Sequence, residues 1–156
     1  MGVGDLVVMS GSGDTAGVPG VTKSTAGDTN PSVGVVLGVK PQPSHLDRAS
    51  WIDGGDAGYV MVCVDPEAIY EAQADEALAT TDINQNANMV QTNALSRTSG
   101  VSGQSVDATV GTTATIQLKI LGFVQRADNE INALYNRVLV KINNHQWQGG
   151  TGTAGA

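Results

Sequence analysis

Ala114-Thr115-Ile116-Gln117-Leu118-Lys119-Ile120-Leu121-Gly122-Phe123 is the stretch that decides the fold class. Side chains of an extended chain point alternately to two faces. Ile116, Leu118 and Ile120 therefore fall on one side and Gln117 and Lys119 on the other. This period of two predicts a half-exposed strand. The pattern returns over residues 137–143, where Val138, Val140 and Ile142 turn inward. Upstream, Asp5-Leu6-Val7-Val8-Met9 reads as another strand. Val33-Gly34-Val35-Val36-Leu37-Gly38-Val39 is a β-branched run closed by the breaker Lys40-Pro41-Gln42-Pro43. Its two glycines predict a bulge or a close backbone approach. Tyr59-Val60-Met61-Val62-Cys63-Val64 is apolar throughout and ends in Asp65-Pro66, which predicts a strand buried on both faces.

The remaining segments are less regular. Asp65 followed by Pro66 makes a good helix start, an N-cap with proline at the first helical position. Residues 69–73 also pass as a short strand, and pattern alone slightly favours the helix. Ile131, Leu134 and Tyr135 stand at helical spacing, which predicts one or two helical turns over residues 128–135. Residues 10–32 and 81–111 are polar and Gly-, Ser-, Thr- and Asn-rich, and read as long loop excursions, the second with at most one short strand. Residues 148–156 are mostly Gly, Thr and Ala and read as a flexible C-terminal tail. The expectation is one β-rich domain over 1–147 with that tail attached, and no internal repeat.

Composition agrees. A chain of 156 residues with 40% hydrophobic content supports one core rather than two. Nineteen Val and 20 Gly against 4% aromatics favour strands and turns over long helices. The net charge is −7 and the eight basic residues are scattered from Lys23 to Lys141. Direct nucleic-acid binding, which needs clustered cations to displace counterions, is disfavoured, as is attraction to an anionic membrane. No run of about 18 apolar residues suggests a membrane span, and no basic segment with an apolar stretch marks a secretory signal. The single Cys63 lies among apolar neighbours and reads as a small core residue rather than a reactive thiol.

Each chemical motif has a plainer reading. Gly11-Ser12-Gly13-Asp14-Thr15-Ala16-Gly17 lacks the lysine and the following helix of a phosphate loop. Asp82-Ile83-Asn84-Gln85-Asn86-Ala87-Asn88 alternates oxygen-bearing side chains as a calcium loop does. Ala87 replaces the required glycine, however, and Asn93 falls where the bidentate glutamate belongs. His45 and His145 stand in no metal-ligand spacing, and Ser10, Ser12 and Ser24 in no nucleophile context. Asp75-Glu76 and the Asp53/Asp56 pair read as solvated charges. The expectation is no catalytic residue, no cofactor and no metal. Trp51 and Trp147 lie in polar surroundings, where each is either a buried anchor or a partner-binding hot spot.

Three stretches taken in order resemble the capsid decoration, or cement, proteins of tailed bacteriophages. They are Gly4-Asp5-Leu6-Val7 with the run 33–39; residues 59–66 continuing through Ile69-Tyr70-Glu71-Ala72-Gln73; and Ile120-Leu121-Gly122-Phe123, Asn129-Glu130 and residues 138–145. Residues 79–87 resemble a polar insert of that family. The resemblance implies a β-rich barrel or jelly-roll-like domain with at most one or two short helices, and tips residues 69–73 towards strand. It implies a protein on the outer surface of the virion capsid, made in the host cytoplasm. Its partners would be the major capsid protein and further copies of itself, as homodimer or homotrimer, with no direct nucleic acid and no membrane. Trp51 and Trp147 are the candidate anchors and Arg48 and Arg97 the candidate rim contacts. The alternatives are another virion structural protein (a head-fibre base or tail-associated β protein) or a small ligand-binding β-barrel.

Overall fold

A computed structural model describes all residues except 26, 28–30, 92, 150 and 151. Among the described residues the chain is mainly β, with nine strands in two antiparallel sheets. The first sheet holds β1 (Leu6–Gly13), β2 (Pro19–Lys23), β3 (Gly34–Val39) and β4 (Val60–Cys63), in the order β2-β1-β3-β4. The second holds β5 (Tyr70–Gln73), β6 (Asn86–Val90), β7 (Ser105–Gly111), β8 (Leu118–Phe123) and β9 (Arg137–Ile142), in the order β5-β9-β8-β6-β7. Neither closes into a barrel. The two ends of the second sheet approach each other at the Ala74–Val106 bridge, with hydrogen bonds from Asp75 N to Val106 O and from Ala108 N to Asp75 Oδ1.

The main core lies against the second sheet. Leu78, Ala87, Met89, Val106, Leu118, Ile120, Phe123, Val138, Val140 and Ile142 pack there, and Leu6 and Val35 of the first sheet close over them. A fully buried aliphatic side chain contributes about 1.5–3 kcal/mol through removal from water, so this cluster carries most of the stability. The two predicted alternating strands appear as β8 and β9. A bulge between Ile120 and Gly122 shifts the pleat, which buries Phe123.

Gln117 departs from its predicted outward position and is fully buried. Its side chain accepts from Met89 N at 3.1 Å and donates to Ser24 Oγ at 2.9 Å. The carboxamide thereby links the second sheet to the chain just after β2. Both glycines of the 33–39 run behave as expected. A bulge falls between Val36 and Gly38, and a Cβ on Gly34 would run into the Cys63 carbonyl. Residues 70–73 form a strand, not a helix, because each pairs with β9.

Several expectations need correction. Residues 10–32 are not one loop: β1 extends to Gly13 and turns back into β2, with Gly13 opposite Pro19, Met9 opposite Val21 and an irregular stretch between the two pairs. Residues 81–111 contain both β6 and β7. Alternation is hidden there because Ala87 and Met89 face the core while the neighbouring Asn86 is also buried. Residues 26, 28–30 and 92 of these two excursions lie outside the described residues. Residues 128–135 form turns, not a helix. Asn132 and Tyr135 sit at φ 66° and 61°, and the Asn129 side chain binds Val124 O, Arg137 O and Arg137 N, a local bonding pattern that competes with helix. The run 59–64 is not buried on both faces: β4 is an edge strand, and Met61 is 67% exposed.

The tail is also better held than its composition suggests. Thr153 N donates to Asn143 Oδ1 at 2.9 Å, Gly155 N to Thr112 O at 2.9 Å and Ala156 N to Asn84 O at 3.1 Å. Residues 150 and 151 of the predicted tail lie outside the described residues.

Candidate protein-interaction site

The first sheet uses its two faces differently. Leu6 and Val35 face the main core, while Val7, Val33 and Val36 begin a second cluster on the opposite face. Val60, Val62, Val64, Met9 and Val21 join that cluster only partly buried. Among the described residues the second sheet does not pack over this face. A cavity of about 700 Å³ lies along it, floored by these valines and flanked by the 53–58 loop and Trp147. The volume falls in the range of ordinary ligand and peptide sites, about 300–1,000 Å³.

The 53–58 wall is fastened from behind by three of the predicted residues. Lys40-Pro41-Gln42-Pro43 ends β3, and the chain makes a single 3-10 turn at Leu46–Arg48. From there Arg48 Nη1 reaches Asp56 Oδ2 at 2.8 Å and Asp53 Oδ2 at 3.6 Å. The Arg48 guanidinium also lies 5.5 Å from the Trp51 ring centroid, and that of Arg97 lies 5.3 Å from it. The indole is thus contacted by two cations, an attraction worth about 0.5–1 kcal/mol per contact at exposed sites. Trp51 Nε1 donates to Arg97 O at 3.1 Å, and Arg97 Nη2 lies 3.8 Å from Asp53 Oδ1. Trp51 is only 7% exposed. Its side chain binds residues of its own chain and holds the wall.

Trp147 is placed differently. It is 60% exposed and lines the cavity. His145 Nδ1 accepts from Trp147 N at 3.1 Å, and the two rings meet edge-on with centroids 6.3 Å apart. Next to it, the Gln146 side chain accepts from Met9 N at 2.9 Å. The indole is therefore presented from a fixed base. Burial holds the His145 imidazole below its ordinary pKa, against the carbonyls of Val33 and Val64, which pull it up. A neutral ring fits its acceptor role at Nδ1.

The hairpin end of the cavity is pinned by Tyr59, whose hydroxyl donates to Asp14 Oδ2 at 2.7 Å. That hydrogen bond, with the one from Val18 N, lowers the Asp14 pKa, and Asp14 in turn raises that of Tyr59. Lys23, at the end of β2 away from that hairpin turn, is committed to the buried Asp5 at 3.0 Å. The floor is therefore apolar, and these rim charges are engaged with their neighbours. Such a surface takes up aliphatic or aromatic groups. Among the described residues, no group of three or more His, Cys, Asp or Glu stands close enough to hold a metal ion. His45 and His145 do not converge on one site: His45 Nδ1 lies 3.0 Å from Arg48 Nη2, and His145 is buried beneath Trp147. Among the described residues no helix is long and apolar enough to cross a membrane.

Of the four predicted residues Trp147 lines the cavity, whereas Arg48, Trp51 and Arg97 do not line it and meet one another next to Asp53 and Asp56 of its wall. Sequence reasoning missed the valine floor. Its signal was present as Val60, Val62 and Val64 at alternate positions, but Met61 and Cys63 between them are also apolar and mask the period. Comparison with protein-family models, curated proteins and solved structures finds no match to this chain.

Proposed function

We propose that the chain is a capsid decoration protein of a tailed bacteriophage, which binds the outer surface of the head and stabilises the expanded shell by bridging major capsid subunits. The observation that carries this reading is the partly open valine face of the first sheet at Val60, Val62 and Val64, with Trp147 exposed at its border. An apolar face of this kind, rimmed by polar groups, suits docking against another protein. An exposed tryptophan on a fixed base suits an interface anchor. The resemblance of the ordered sequence segments to that family supports the same reading. A protein that binds only the expanded lattice stabilises it by linkage, and many copies, self-associated as dimers or trimers, add modest contacts together. The acidic net charge of −7 favours a basic shell surface as the partner.

The test uses expanded, DNA-filled heads bearing the cognate major capsid protein and stripped of surface proteins. They are heated with and without the chain while DNA release is followed by dye fluorescence. The chain is expected to raise the rupture temperature. Val62→Asp, checked for folding by circular dichroism, is expected to raise it less. An unchanged rupture temperature with the unsubstituted chain overturns the proposal. The cavity volume also favours a second reading, a small ligand-binding β protein, which saturable one-to-one uptake of a lipophilic fluorophore would support.

A further inference from the structure

The segment Gly152–Ala156 is bound to the body of the protein as a peptide is bound in a receptor. Its main chain makes most of the contacts. Besides the bonds from Thr153 N, Gly155 N and Ala156 N, the Asn86 side chain donates to Thr153 O at 2.8 Å and Lys119 Nζ to Ala154 O at 2.9 Å. Thr153 Oγ1 adds a bond to Asn143 Oδ1 at 3.2 Å.

With the segment in place both carboxamides that grip it are covered: Asn86 is 0% and Asn143 6% exposed. Asn86 Nδ2 also reaches Thr113 O, and Asn143 Nδ2 reaches Ala114 O and Ile116 O. The two side chains are thus oriented before the segment arrives. Two positions in the segment require glycine for reasons of space. A Cβ on Gly152 would collide with the Asn143 side chain and carbonyl, and one on Gly155 would come within 2.9 Å of Gly111 O.

The segment's own side chains bury little. Thr153, Ala154 and Ala156 are exposed. The hydrogen bonds are therefore weighed almost alone against the entropy of ordering the segment, which leaves a small net preference for the docked state. Vacating the groove takes the Thr153 partners from Asn86 Nδ2 and Asn143 Oδ1, and an equivalent backbone restores them. A second copy carries that same backbone.

We infer that the groove formed by Asn84–Asn86, Thr112–Thr113, Lys119 and Asn143 is a receptor for the Gly152–Ala156 segment that also accepts the segment of a second copy, so that neighbouring copies are joined by exchange. In dilute solution the attached segment wins through its effective concentration, of order millimolar for a short tether. Copies crowded to a similar local concentration compete with it.

The test needs no capsid, so its outcome is independent of the decoration reading. A fluorescent peptide of residues 149–156 is titrated against the chain ending at Gly149 and against the full chain, with anisotropy as the readout. Binding to the shortened chain is expected to be at least tenfold tighter, and a Gly152→Val peptide is expected to bind neither. Equal affinity for both chains, no binding to the shortened chain, or undiminished binding of the Gly152→Val peptide overturns the receptor. Native mass spectrometry of the full and shortened chains at several hundred micromolar then reads exchange. A heterodimer is expected that neither the shortened chain alone nor a mixture with the full-length Gly152→Val chain reproduces. Peptide binding without that heterodimer overturns exchange. Neither substitution nor truncation touches the core, and Asn143→Ala, with loss of peptide binding expected, is read only if its melting stays cooperative.

Discussion

The two sheets solve the same packing problem to different degrees. On the second sheet, Ile120, Val138, Val140 and Ile142 lie in a cluster closed over by Leu6 and Val35, and each is 2% exposed or less. On the outer face of the first sheet, Val7, Val33 and Val36 are fully buried, but Val60, Val62 and Val64 remain partly open to the cavity. The residue types are alike, so the contrast is one of cover rather than composition. Valines that already face a packed layer serve stability. Valines facing an unfilled cavity retain surface that a partner can still take from water, at about 25 cal/mol for each Å².

This contrast breaks most decisively at Ile120. Ile120→Ala is expected to cost about 2–5 kcal/mol, read by urea denaturation, because the closed cluster cannot collapse around the hole. Asp5→Ala comes next. The buried carboxylate accepts from Gly2 N at 2.9 Å, pairs with Lys23 and takes the Ser102 hydroxyl. Its removal strands these donors and is expected to cost about 1–3 kcal/mol in the same assay. Val62→Ala sharpens the comparison, since a half-covered side chain leaves a smaller hole. It is expected to cost about 1 kcal/mol, while capsid binding falls by more than that stability loss implies. A Val62→Ala cost equal to that of Ile120→Ala would erase the distinction between the faces.

Arg48→Ala loosens the cavity wall and is expected to cost about 0.5–1 kcal/mol, with faster amide exchange over residues 51–58 as the sharper readout. The smallest effect is on pH. Burial lowers the His145 pKa in the folded chain, so the unfolded chain binds its proton first as pH falls. Stability should therefore be full above the ordinary histidine range near 6.5 and decline as pH drops below it towards the folded pKa. His145→Gln should flatten that part of the melting-temperature profile.

Strands with one polar and one apolar face were legible because a period of two survives in the residue string, as at Leu118 and Ile120 or Val138 and Val140. β6 and β7 were not, because Asn86 is itself buried, which breaks a polar-out period in β6, and small residues such as Ala87 and Ala108 supply inward positions. The β1–β2 hairpin was hidden for a similar reason: Ser10-Gly11-Ser12-Gly13 is exposed throughout and the pairing register breaks between Met9 and Gly13, so this end of β1 carries no apolar period. At the candidate site, Trp51, Trp147, Arg48 and Arg97 could be singled out by residue type. Their division into one presented ring and one braced ring could not, since it depends on the three-dimensional meeting of residues 48, 51 and 97. The Asn86 and Asn143 cradle was likewise invisible, because a buried carboxamide and a solvated one look identical in sequence.

The sheets differ finally at their rims. The Ala74–Val106 bridge and the bond from Asp75 N to Val106 O occupy both outer strands of the second sheet, and the Asp75 carboxylate also takes Ala108 N at 2.8 Å. That sheet is poorly suited to template a foreign chain. β2 and β4 end the first sheet. β2 begins with Pro19 and ends with Lys23, both of which discourage strand addition. β4, Val60–Cys63, carries neither. Aggregation of overexpressed protein is therefore expected to start from β4, and a single lysine placed at Met61 should delay it.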